Sequence, residues 1–435
     1  MKFIYSAFLF SLLFLILALS PLGATQEFLQ NEQPVLILSN DSSFHFELLG
    51  PLGQSIYSGA DVGPILGAAK DIKPGDFESF SSVFYALANH TKAQAEDPLL
   101  AYDPVNVRDT WFAASTYFRR ADFYLHGNWE DPRINEYWDE QTSAFDKAIA
   151  SLPIPGKRLR IPATGFYVEA IWFPASSDCN SKTPTLIVGN GYDEAQEDLY
   201  HILVVPALAR GWNVLTYEGP GQPTVRRRQN LGFIPDWERV VTPLVDYLFA
   251  EQHDIVDTDR LALFGYSFGG YLSARAAAFE PRLSAVMLDP GIWSAYDSFT
   301  SSLGSEAVSL LENGTKEDFD DTIASYLNAT DAPSSLRWGI EQGLWAFNTI
   351  SPYDFLQESK KYNIKDVVDK IQMPVWVADA KHDGFFPGQA PLVKKALGDH
   401  ATYHLFDGAA GYHCHVGALQ ELTREVFAWL NKTLA

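Results

Sequence analysis

The chain has 435 residues, enough for two ordinary domains or one elaborated domain around a large core. A formal net charge of −22 leaves no basic surface for phosphate contacts, which excludes nucleic acid as a partner. Only Cys179 and Cys414 occur, so no disulfide framework supports the fold, and no bridge between them is expected.

The opening "MKFIYSAFLFSLLFLILALSPLGATQ" sets Lys2 before an apolar run and then small residues, the order of a secretory signal peptide. Pro21 disfavours cleavage after Ser20, so residues 1–24 are read as the signal, cut after Ala24. An uncleaved anchor is the alternative, because ~17 apolar residues can just span a bilayer. Five Asn-x-Ser/Thr sequons, at Asn40, Asn89, Asn313, Asn328 and Asn431, fit a glycosylated chain that is secreted or held in the secretory lumen.

Residues 25–152 are read as an α-helical cap. "DTWFAASTYFRRADFYLHGNWEDPRINEYWDEQTSAFDKAIASL" has helical period with breaks at Gly127 and Pro132, and nothing before it alternates like a strand. "PIPG" (153–156) is the linker into a second region, 153–435. There, "FYVEAIWFP" (166–174), "TLIVGN" (185–190), "WNVLTYEG" (212–219) and "RLALFGY" (260–266) read as strands. "LSAVMLDPG" (283–291), "PVWVADA" (374–380) and "ATYHLFDG" (401–408) come after them. Helical windows such as "EAQEDLYHILVVPALARG", "WERVVTPLVDYLFAEQ" and "ALQELTREVFAWLNKTL" separate them, which predicts a doubly wound, mostly parallel sheet.

One interruption, about 292–371, is too long for a plain crossover and is read as a helical lid. Its Trp293, Tyr296, Phe299, Phe319, Tyr326, Trp338, Trp345 and Phe347 together predict an aromatic roof over the sheet.

Gly265-Tyr266-Ser267-Phe268-Gly269 matches G-x-S-x-G, and it lies between an apolar strand and a helix of small residues. That context is a nucleophile elbow, a strained turn in which flanking glycines avoid Cβ clashes. A serine hydroxyl needs a base and an orienting acid, and in this fold they follow it in the order acid, then His. Asp383 stands four residues beyond Asp379 in "VADAKHDGFFPG", with Asp379 as rival acid. His413 and His415, in "FDGAAGYHCHVGA", are both candidates for the base, while His382 is a decoy beside the acid. The oxyanion donors expected are the N–H of Phe268 and, from "IVGNGYDEAQ", that of Tyr192 or Gly191. "YEGPGQPTVRRRQNLGF" lacks a P-loop ending; its three arginines are either a solvated patch or a contact with the acidic cap. No metal and no cofactor are expected. The expected partner is a small-molecule substrate, and a homodimer is compatible with the sequence.

"YFRRADFYLHGN", "YEGPGQPTVRRRQNLGFIPDWERVVTPLVDYL", "GYSFGGYLSARAAAFEPR", "KHDGFFPGQA" and "GYHCHVGA" together resemble the fungal α/β-hydrolases that shorten polyketides on the way to melanin. They also resemble the related hydrolases of fungal secondary-metabolite clusters and, more distantly, dihydroxypseudooxynicotine hydrolase. The resemblance runs from about Trp111 to the C-terminus. It implies an α/β-hydrolase fold with an N-terminal helical cap, and hydrolysis of a carbon–carbon bond next to a ketone. Carried over by motif, it implies Ser267, Asp383 and His413 as the triad, because the family's catalytic His directly precedes a Cys. The secretory N-terminus departs from the family, whose members are largely intracellular; this leaves the physiological substrate open.

Overall fold

The computed structural model describes residues 34–177, 181–329 and 332–435. The signal segment 1–24 and Cys179, and with them the cleavage and bridge expectations, lie outside the described residues. The chain divides into two units, Met1–Ile37 and Leu38–Ala435, and the second carries the sheet and the helices packed on it.

Among the described residues eight strands form one sheet in the order β1-β2-β4-β3-β5-β6-β7-β8. They are β1 (Lys157–Ala163), β2 (Phe166–Phe173), β3 (Thr183–Gly189), β4 (Asn213–Glu218), β5 (Val256–Tyr266), β6 (Ala285–Asp289), β7 (Val375–Ala380) and β8 (Ala401–Phe406). β1 pairs antiparallel with β2, and β2 with β4; every other pairing is parallel. The apolar runs have a physical reason, since a parallel sheet covered on both faces buries consecutive residues. Ile187, Leu215, Leu263, Val286 and Val377 join the core on one face. Leu186, Val214, Ala262, Met287 and Trp376 join the core on the other. Each Val, Leu, Ile or Met side chain among them contributes ~1.5–3 kcal/mol by leaving water, and a one-residue slip would exchange the two sets, so register is tightly specified.

β1 has no counterpart among the strands predicted from sequence, which begin at 166. It is an edge strand whose Lys157, Arg160 and Pro162 are exposed, so it carries no apolar run to betray it. A tight turn at Thr164-Gly165, with Gly165 at φ +90°, folds it onto β2. The helix expected over "EAQEDLYHILVVPALARG" is also interrupted. Gln196–Leu199 and Val205–Leu208 are α-helical, and Tyr200–Val204 between them is a π segment. Pro206 has no N–H for the ladder, which widens just ahead of it.

Among the described residues five α-helices precede the sheet: α1 (Ser42–Gln54), α2 (Val62–Asp71), α3 (Phe77–Ala95), α4 (Pro104–Asp122) and α5 (Arg133–Ala150). Aspartates cap α1, α3 and α4, accepting from Phe44, Ser79 and Val105 N–H groups respectively. Among the described residues five more α-helices lie in the interruption between β6 and β7: Ala295–Thr300, Ser305–Asn313, Lys316–Leu327, Ser334–Phe347 and Pro352–Ser359. The arginine run lies in a short helix, Pro223–Gln229, in which Arg226 is buried and Arg228 is exposed. The Arg227 side chain is buried, donating to Asp122 over 2.7 Å and to the Ile134 carbonyl over 3.1 Å, so it ties the N-terminal helices to the sheet region. This is the contact with acidic cap residues that the sequence offered as its alternative.

Candidate active site

β5 ends at Tyr266 and the next helix, Gly269–Ala277, begins three residues later. Ser267 sits between them at φ +57°, a left-handed conformation that costs a side-chain-bearing residue ~1–2 kcal/mol. Its N–H donates to the Asp289 carbonyl on β6, which holds the turn. A Cβ on Gly265 would lie 2.0 Å from the Gly269 carbonyl, so only glycine allows the helix to start this close to the strand.

The Ser267 hydroxyl lies 2.9 Å from His413 Nε2, and His413 Nδ1 lies 2.8 Å from Asp383 Oδ2. The other carboxylate oxygen of Asp383 accepts the N–H groups of Phe385 and Phe386. A carboxylate so placed requires a proton on Nδ1, which leaves Nε2 free to accept from the serine. Burial raises the Asp383 pKa, but the His413 charge and these hydrogen bonds outweigh it and hold the carboxyl below its ordinary value. Burial likewise lowers the His413 pKa, and the Asp383 charge with its hydrogen bond reverses the shift, leaving it raised.

The residues left open by the sequence separate cleanly. His415 has both ring nitrogens engaged away from Ser267, Nδ1 on the Ala410 carbonyl at 2.9 Å and Nε2 on Asp289 Oδ1 at 3.0 Å. Left-handed backbone at Cys414 (φ +52°) and His415 (φ +56°) turns the two imidazoles to different partners. Asp379 accepts from the Tyr403 hydroxyl and from the N–H of Ala380, not from a histidine. His382 is exposed. Cys414 is a buried free thiol, its Sγ 3.3 Å from the Asp289 carbonyl oxygen.

The loop after β3 passes over Ser267. The N–H of Gly191 donates to Glu194 Oε2, whereas among the described residues the N–H groups of Phe268 and Tyr192 have no hydrogen-bond partner. Inserted helix Ser334–Phe347 fixes this loop: Tyr192 donates its hydroxyl to the Gly339 carbonyl, and Gln342 donates to the Tyr192 carbonyl.

Above lies a cavity of about 330 Å³, reached by Ser267 and His413. Only Phe299 and Trp338 of the eight predicted roof aromatics line it. The others do not line it: Trp345 stacks on His126, Phe319 packs against Tyr353, and Tyr326 is exposed. The wall is completed by Phe355 of the same insertion and by residues outside it, Phe46, Phe123, Phe385 and Phe386. Also lining the cavity, Arg120 contacts Glu47 at 2.7 Å and Asp198 at 3.2 Å. Burial pushes Glu47 up to about 8 and Asp193 up to about 6 despite the neighbouring arginines. Among the described residues no cluster of His, Cys, Asp and Glu is arranged to hold a metal ion.

A model of the prolyl oligopeptidase family matches residues 242–339, the span of β5, the elbow and part of the insertion. Hydrolase LUC6 of a Fusarium species is 32% identical over 406 residues, covering 90% of this chain and 96% of its own. The 20-hydroxy-prefusarin hydrolase FUS2 of Gibberella moniliformis is 30% identical, with coverage of 90% and 96%. The crystal structure of 2,6-dihydroxy-pseudo-oxynicotine hydrolase superposes with a TM-score of 0.68 at 19% identity, over 88% of this chain and 95% of that one. The fold is thus that of the α/β-hydrolases, and the chain belongs to the hydrolases of fungal secondary metabolism.

Proposed function

We propose that this hydrolase uses Ser267, His413 and Asp383 to cleave the bond next to a carbonyl in a hydrophobic, polyketide-like molecule, as in a β-dicarbonyl. The observation that carries the reading is the continuous hydrogen-bonded chain from Ser267 through His413 to Asp383 at a cavity walled by aromatic rings. His413 Nε2 takes the hydroxyl proton as Oγ attacks the carbonyl carbon. The N–H groups of Phe268 and Tyr192 receive the oxyanion. His413 returns the proton to the departing carbon, which leaves as the ketone or its enol, and Ser267 keeps the acyl group. Water, deprotonated by His413, then releases the acid and restores the serine. An ester passes through the same steps with oxygen as the leaving atom. Kinship to a hydrolase named for 20-hydroxy-prefusarin supports a secondary metabolite as substrate.

The test joins two measurements on purified protein. A fluorophosphonate probe labels Ser267, and mass spectrometry of a fungal metabolite extract shows a diketone split into an acid and a ketone. An unlabelled serine overturns the nucleophile assignment. A labelled enzyme that cleaves simple esters and leaves diketones intact overturns the substrate class.

Entry into the secretory pathway is part of the proposal. All five sequon asparagines are exposed, as a glycan acceptor must be. Protein from the native host is expected to lose mass on treatment with peptide N-glycosidase, and an unchanged mass counts against secretion.

A further inference from the structure

The loop that carries His413 is fastened differently toward its acid and toward its nucleophile. On the acid side the link is backbone: the N–H of His382, next to Asp383 in the chain, donates to the Gly411 carbonyl over 2.7 Å, and residues 382 and 412 form an isolated parallel bridge. On the nucleophile's side strands intervene, because Ser267 follows β5, the histidine loop follows β8, and β6 and β7 lie between them. There the link runs through side chains to Asp289, the last residue of β6, which is fully buried.

Asp289 holds both partners. Its carbonyl accepts the N–H of Ser267 at 2.6 Å, and its Oδ1 faces His415 Nε2 at 3.0 Å. His415 in turn closes the loop on itself. Its Nδ1 donates to the Ala410 carbonyl at 2.9 Å, its backbone N–H donates to the Tyr412 carbonyl at 2.8 Å, and its ring centroid lies 3.7 Å from that of Phe406 at the end of β8. His413 therefore projects from a short loop whose two sides are joined by the His415 ring. Longer contacts run beside this one: Cys414 Sγ stands 3.3 Å from the Asp289 carbonyl oxygen, and the Tyr266 hydroxyl donates to the Cys414 carbonyl over 3.4 Å.

We propose that His415 is a positioning residue, which through its bond to Asp289 sets the distance between His413 and Ser267. The proposal rests on the reading of Ser267 as nucleophile and His413 as its base. The Ala410 carbonyl can only accept, so Nδ1 carries a proton, and a second proton lies between Nε2 and Oδ1. With both nitrogens engaged the ring has no lone pair to offer the serine; what it supplies is a fixed loop. Among the described residues Asp289 Oδ2 has no hydrogen-bond partner, so the carboxylate holds nothing but His415. The arrangement matters because proton transfer from Ser267 needs the imidazole in hydrogen-bond reach, and a misplacement of about 1 Å costs about 10²-fold in rate.

The experiment measures kcat and KM on a chromogenic acyl ester, together with thermal melts, for Asp289→Asn, Asp289→Ala, His415→Asn and the double variant Asp289→Ala/His415→Asn. Asparagine at 289 keeps both a donor and an acceptor for Nε2 and is expected to stay within about fivefold of wild-type kcat. Asparagine at 415 tolerates the left-handed backbone and still reaches the Ala410 carbonyl, but it is too short for Asp289. Both link-breaking single variants are expected to lower kcat by about 10²-fold with KM little changed. Each also strands a buried polar group, so each melts below wild type. The double variant strands neither. Its melting temperature is expected to recover toward wild type while kcat stays about 10²-fold down, a split that a purely structural role would not produce. Wild-type kcat in the double variant, or equal kcat in Asp289→Asn and Asp289→Ala, overturns the proposal. Losses that multiply to about 10⁴-fold in the double variant overturn it too, because the two residues would then act separately. Fluorophosphonate labelling of wild-type Ser267 tests the underlying reading on its own: an unlabelled serine removes the nucleophile itself, while a labelled one leaves any failure with His415 and Asp289.

Discussion

Ser267→Ala is expected to lower kcat on an activated acyl ester by about 10⁵–10⁶-fold while leaving the protein folded. The backbone at this position is left-handed, yet alanine carries the same Cβ as serine and meets the same strain. The N–H bond to the Asp289 carbonyl belongs to the backbone and survives. Only Oγ is lost, and with it the acceptor of the acyl group. A residual rate some 10³-fold above water would persist, because the cavity and the oxyanion donors remain. Stopped-assay kinetics on rigorously separated variant protein checks this. Full turnover would show that Ser267 is not the nucleophile.

Asp383→Asn is expected to cost about 10⁴-fold in kcat, for a reason specific to this loop. The N–H groups of Phe385 and Phe386 both point at Asp383 Oδ1 and require an acceptor there. An asparagine must therefore keep its carbonyl oxygen on those N–H groups and turn its NH₂ toward His413 Nδ1. Nδ1 then has to accept, the ring proton moves to Nε2, and the imidazole can no longer receive the serine proton. The pH profile provides a second readout. In the wild type, burial lowers the His413 pKa and the Asp383 charge more than restores it, so the net shift is upward. The free base is the active form, so activity rises with pH through that raised pKa. Removing the charge moves this acid limb to lower pH even as the plateau falls. A variant with an unshifted limb and near-normal kcat would give the orienting role to another acid.

The elbow could be read from sequence because everything it needs is local. A strand, a small-residue helix and the glycines between them occupy one continuous stretch, and Gly265 is required by a contact with Gly269 only four residues away. The parallel strands were legible for a related reason, since burial on both faces imposes an unbroken apolar run. β1 was not, because an edge strand is free to carry Lys157 and Arg160. The buried Arg227 was ambiguous because its partner, Asp122, lies 105 residues away, and no local pattern distinguishes a solvated arginine from a paired one. The aromatic roof was misjudged in detail for the same reason. Spacing along the inserted helices cannot tell Trp338, which faces the cavity, from Trp345, which stacks on His126.

By itself, then, the sequence determined the fold class, the elbow at Ser267 and the order in which an acid and a histidine must follow it. What separates His413 from His415 is tertiary structure. Two left-handed residues turn their rings apart, one toward Ser267 and Asp383, the other into a buried pairing with Asp289. Tertiary structure alone also set Asp289, 126 positions before His415, within reach of both that ring and the Ser267 N–H, because β5, β6, β7 and β8 are successive parallel strands whose C-terminal ends open onto the same edge of the sheet. Local propensity specifies where a chain turns, but only packing specifies what meets across the turn.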